Sequence, residues 1–218
     1  MPIKAVIFDM DGVIINSEKL WDRAMTDVLA KYGAVYCQRC KDQCMGKSIY
    51  ESAVIKKEMY GLKIDENKLA QENLVAALSL YHKLDFMPGF LSLFESLKNR
   101  NVRMCIATAS DKILMDAVDK KLNLTDLFLG NVVFRQAYHK SKPAPDIFLD
   151  AAKKLGVKAE ECVVIEDSPN GVDAALAAGM KVIALSGSTT HDKLIKADIV
   201  IDSLEKLNHN MIGLLGLI

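Results

Sequence analysis

The stretch "IFDMDGVIINSE", residues 7–18, sets Asp9 and Asp11 one residue apart straight after an apolar run and follows them with Gly12. Like charges held that close repel, so something must compensate them. The apolar run comes first in the argument. "AVIFD" (residues 5–9) is echoed by "VRMCIAT" (102–108), "CVVIED" (162–167), "KVIAL" (181–185) and "DIVI" (198–201). Adjacent apolar residues without polar alternation mark strands buried on both faces, as in a parallel sheet covered by helices.

Between the first two runs, over residues 17–85, strand signals give way to apolar residues at helical spacing. "LWDRAMTDVLAKYG" places Leu20, Ala24, Val28 and Leu29 along one face, with Ser17 positioned to cap the start and Gly33 to end the helix. In "LDFMPGF", Pro88 and Gly89 break the pattern where the chain is expected to return to the sheet. The expected fold class is α/β: a Rossmann-like parallel sheet covered by helices, with an inserted α-helical cap domain. Residues 1–16 and 86–218 would form the core domain and residues 17–85 the cap.

Composition narrows the function classes. The chain has 218 residues, half of them hydrophobic, enough for one full core and a smaller second one. Basic and acidic residues balance at 28 each, which gives no support to nucleic-acid or membrane-surface binding. No apolar run approaches the roughly 18 residues that span a bilayer, and "MPIKAVIFDMDG" lacks a signal-peptide core. Five cysteines, an odd count, argue for free thiols and a cytoplasmic location.

Ligands of open parallel sheets bind beyond the carboxyl ends of the strands, and the polar clusters of this chain fall there. Asp9 and Asp11 close the first run, Thr108 and Ser110 the second, and Glu166 and Asp167 the third. Lys142 lies in "KSKPAPD", before the helix leading into that third run. Converging carboxylates call for a hard cation such as magnesium, which often bridges carboxylates to a substrate phosphate. Phosphoryl chemistry is the leading expectation.

"DMDGV" (9–13), "TAS" (108–110), "KPAPD" (142–146) and "EDSPNG" (166–171), in this order and spacing, make the chain resemble the haloacid dehalogenase-like (HAD) hydrolases that carry a helical C1 cap. Within them it is similar to the β-phosphoglucomutase-like and sugar-phosphate phosphatase group. The resemblance implies Asp9 as the nucleophile that becomes an aspartyl-phosphate, and Asp11 as general acid and base. It implies Thr108, Ala109, Ser110 and Lys142 as substrate-binding residues, with Thr108 and Lys142 also catalytic. It implies Asp9, Glu166, Asp167 and the backbone carbonyl of Asp11 as magnesium ligands. Glu166 could bind directly or through water.

The implied function is magnesium-dependent hydrolysis of a small phosphorylated metabolite, a sugar or sugar-alcohol phosphate, by a monomer. The alternatives are a β-phosphoglucomutase-like phosphotransferase and a non-catalytic phosphate sensor. "CMGKSIYES" bears on the first, because those mutases have a lysine just before the glycine and an arginine three residues after it. Here these are Met45 and Ile49, so no fork grips a second phosphate, although Lys47 lies between them. Relatives usually have Asp where this chain has Asn16. Cys37, Cys40 and Cys44 lack a fourth ligand for a metal site, Trp21 is expected to pack, and His82, His139, His191 and His209 show no ligand spacing.

Overall fold

β1 (Ala5–Phe8) has a hydrogen-bonded strand on each side and four buried residues, which is why its sequence shows no polar alternation. The structure is a computed structural model that describes residues 2–137, 139–187, 189–207 and 216; His209 lies outside them. From β1 the chain passes through α1 (Glu18–Ala30), α2 (Gln38–Cys44), α3 (Ile49–Tyr60) and α4 (Glu66–Leu80). It continues with α5 (Phe90–Lys98), β2 (Arg103–Thr108), α6 (Lys112–Leu122), α7 (Leu124–Leu127) and β3 (Val132–Phe134). α8 (Asp146–Leu155), β4 (Cys162–Glu166), α9 (Pro169–Ala177), β5 (Lys181–Leu185) and β6 (Ile199–Ile201) follow.

The six strands form one parallel sheet in the order β3-β2-β1-β4-β5-β6. Alternate side chains of β1 enter different cores. Val6 and Phe8 join Phe90, Phe94 and Phe128, with the Phe8 ring edge-on to Phe90 at 5.7 Å and to Phe128 at 5.8 Å. Ala5 and Ile7 pack on the opposite face with Phe148 of α8 and Val172 of α9. Strand order reverses between β1 and β4, and such a switch point opens a crevice at the strands' carboxyl ends.

α1, α3 and α4 share a smaller core of Val28, Leu29, Ala53 and Leu69. Ser48 and Glu51 form a capping box at the start of α3, and Asp65 accepts from Asn67 and Lys68 at the start of α4. Ser17 differs from expectation. It precedes α1 but keeps helical backbone angles, and its side chain makes no cap bond. α1 ends at Ala30, and Gly33 takes its positive φ only after a further turn.

The segments leading into and out of these helices lie side by side. Asn16 N donates to Asp85 O at 2.9 Å and Met87 N to Ile14 O at 2.8 Å, with Ile15 and Phe86 bridged antiparallel. Among the described residues no helix is long and apolar enough to cross a membrane.

Candidate active site

The crevice at the β1/β4 switch point gathers the polar residues that the strand ends deliver. Lys142 is buried and donates to Asp9 Oδ1 at 2.5 Å and to Glu166 Oε1. Glu166, at the end of β4, is 1% exposed. Its Oε2 accepts from the Asp167 and Ser168 amides, each at 2.7 Å, and from Ser168 Oγ at 2.9 Å. Gly171 in the first turn of α9 makes room for this carboxylate, since a Cβ there would lie 1.8 Å from Glu166 Oε1.

Asp11 sits two residues beyond Asp9 and leads into a turn in which Gly12 adopts φ +78°. Three donors hold its carboxylate: Ser17 Oγ at 2.6 Å, Trp21 Nε1 at 3.3 Å and Ser110 Oγ at 3.1 Å. The hydroxyl expected to cap α1 therefore serves Asp11 instead. Trp21 packs edge-on against Tyr81, as a packing residue would, but its indole N–H also reaches the site. Thr108, 1% exposed at the end of β2, accepts from the Ser110 amide at 3.1 Å and lines the cleft with Ala109.

Asp9, Glu166 and Asp167 each offer a carboxylate oxygen within 4.8 Å of the others. Asp11 is not in this trio, because its side chain is engaged elsewhere. Three buried carboxylates against one ammonium leave an excess of negative charge. Burial pushes the Asp9 carboxyl up to about 8, against the pull of Lys142 and with Glu166 adding to the rise. Burial also disfavours the Lys142 ammonium, but Asp9 and Glu166 outweigh it and hold its pKa above the ordinary lysine value. An all-oxygen donor set with unbalanced negative charge fits a hard divalent cation.

The inserted helices close the other side of the cleft, which is partly open to solvent. Met45 and Ile49 line it, as their place over the site requires. Two contacts tie this loop to the sheet side: Asn170 Nδ2 donates to Met45 O at 2.8 Å and Lys47 Nζ to Lys142 O at 2.7 Å. Glu51 accepts from Ser141 Oγ beside Lys142. His139, buried, lies 2.9 Å from Asp150 through Nε2 and accepts from the Gln136 amide through Nδ1, which orders the approach to Lys142. Lys41 and Lys56 also line the cleft, and nothing in the sequence around them marks either as a site residue. Both meet α1: Lys41 pairs with Glu18 and Asp22, and Lys56 contacts Met25.

The family model for haloacid dehalogenase-like hydrolases matches residues 3–179. The chain belongs to that family. It is 33% identical over 214 residues to a probable pseudouridine-5'-phosphatase of Drosophila melanogaster, covering 95% of this chain and 93% of that protein. It is 37% identical over 200 residues to the chloroplastic SUPPRESSOR OF QUENCHING 1 of Arabidopsis thaliana, covering 89% of this chain but only 19% of that longer protein. A β-phosphoglucomutase crystal structure from Clostridium difficile superposes with a TM-score of 0.86 at 28% identity, covering 98% of this chain and 97% of that one. The chain is an enzyme, a HAD-type phosphatase of phosphorylated metabolites.

Proposed function

We propose that the protein is a magnesium-dependent phosphatase that hydrolyses a sugar or sugar-alcohol phosphate through an aspartyl-phosphate on Asp9. The observation that carries the reading is the pairing in one cleft of Asp9, bonded to Lys142, with Asp11, held by three donors two residues away. Asp9 attacks phosphorus, and the leaving oxygen takes its proton from Asp11. Asp11 then removes a proton from the water that hydrolyses the aspartyl-phosphate. Thr108, Ala109 and Ser110 bind phosphate oxygens, and Lys142 offsets the charge gathered at Asp9. Asp9, Asp167 and the Asp11 carbonyl would hold the magnesium. Glu166, both of whose oxygens are already engaged, would act on it through water. When bound there, the ion supplies positive charge that balances the carboxylates and the transferring group.

In this reading residues 1–16 and 86–218 are the catalytic core and residues 17–85 the cap that selects the leaving group. Hydrolysis is favoured over mutase chemistry because Met45 and Ile49 present no cation to a second phosphate. The odd number of cysteines supports a cytoplasmic enzyme, which we take to be a monomer. The test is p-nitrophenyl phosphate turnover in purified protein: activity with magnesium, none in EDTA, and recovery on adding magnesium back. Full activity in a metal-free sample would overturn the reading.

A further inference from the structure

Four lysines line the cleft, and three of them have oxygen partners. Lys142 is bonded to Asp9 and Glu166, Lys41 to Glu18 and Asp22, and Lys47 to the Lys142 carbonyl. Lys56 of α3 is the exception. It is 2% exposed, and among the described residues its ammonium contacts only the thioether of Met25, at 2.8 Å. The thiols of Cys40 and Cys44 lie nearby, and Lys56 forms no ion pair with a carboxylate among the described residues. Sulfur is a weak acceptor. Burial accordingly lowers the Lys56 pKa. A buried ammonium without an oxygen partner is costly, and removing it in favour of an apolar side chain of similar size often stabilises a protein. The charge is explained if an anion enters the cleft and meets it.

We infer that Lys56 is a specificity residue that binds a carboxylate on the leaving group, so that the preferred substrate is the phosphate ester of a hydroxy acid. This rests on the phosphatase reading and puts a hydroxy acid in place of its sugar or sugar-alcohol leaving group. The phosphate end is held on the sheet side by Asp9, Thr108 and Lys142, so the rest of the substrate points toward the inserted helices and Lys56. One ammonium balances one monoanionic carboxylate. A second phosphate, with up to two charges and no guanidinium fork at Met45 or Ile49, would leave buried charge unpaired.

The test measures binding to the Asp9→Asn protein with magnesium, which separates recognition from turnover. Two matched pairs differ only in a carboxylate against a hydroxymethyl group: 3-phosphoglycerate with glycerol 3-phosphate, and 6-phosphogluconate with sorbitol 6-phosphate. Fructose 1,6-bisphosphate serves as the second-phosphate probe. In at least one pair the carboxylate member should bind about tenfold more tightly or better. Adding Lys56→Met should reduce that preference to about twofold or less, and melting curves verify that the variant is folded. Equal affinities within both pairs, no binding by any member, a preference that survives Lys56→Met, or a bisphosphate that outcompetes both carboxylates would each overturn the assignment. The phosphatase reading fails separately, through wild-type protein that does not hydrolyse p-nitrophenyl phosphate.

Discussion

Gly171 lies inside α9, where replacing glycine by alanine ordinarily stabilises a helix by about 0.5–1 kcal/mol. At this position the sign should reverse. The added Cβ would meet the Glu166 carboxylate at 1.8 Å, and that side chain is pinned by Lys142 and the amides of the following turn. Gly171→Ala should therefore lower both the melting temperature and turnover, measured by thermal unfolding and p-nitrophenyl phosphate assay. A variant as stable and active as wild type would mean that Glu166 can move aside freely. Asp9→Asn should cost about a thousandfold or more in turnover while circular dichroism stays unchanged, because an amide of nearly the same size is a poor nucleophile. Its stability effect has a definite sign. Without metal, the folded Asp9 value of about 8 lies above its ordinary 3.8, so the stability tied to its protonated form is complete below about pH 4. That stability is lost as pH rises through 8. Asparagine cannot ionise, so in EDTA Asp9→Asn should melt above wild type at pH 9, with the gap narrowing toward pH 4.

At the scale of elements, the loop between α2 and α3 is where substrate choice is open to redesign. Met45 and Ile49 face the cleft, while the loop backbone is held to the sheet side through Asn170. Met45→Lys with Ile49→Arg should tighten binding of fructose 1,6-bisphosphate about tenfold or more and change p-nitrophenyl phosphate turnover little, because only a distal phosphate can reach the new cations. Unchanged bisphosphate affinity in a folded double variant would refute this role for the loop. The elements differ in how plainly the sequence announced them. β1, β2, β4, β5 and β6 stand out as apolar runs, whereas β3 is a run of only three half-buried residues, Val132–Phe134, at the sheet edge, set between polar neighbours. The carboxylates were visible because strand ends deliver them to one rim. Local spacing marks Ser17 as a cap and Trp21 as a packing residue, since it shows neither where α1 lands nor that both reach Asp11. Lys56 is one of two adjacent lysines in α3, and its burial depends on packing against Met25 of α1.

The molecule as a whole is balanced in charge, yet its central crevice concentrates three buried carboxylates around one ammonium. Magnesium that binds the folded form alone should stabilise it by about 2.7 kcal/mol at a hundredfold excess over its dissociation constant. For a chain of this length that corresponds to a rise of about 5–10 °C in melting temperature over an EDTA-treated sample. Calorimetry with and without the ion checks it, and an unchanged melting temperature would count against a metal at this site. The position of β1 in the sheet also shapes how the protein is made. Its neighbours β2 and β4 lie roughly 100 and 160 residues further along the chain, so at about 5–20 residues per second the ribosome takes several seconds or more to supply the first. Until then a fully apolar strand has no sheet to join. The nascent chain must shield it by transient collapse or with a chaperone while the helices that will choose the substrate are being synthesised.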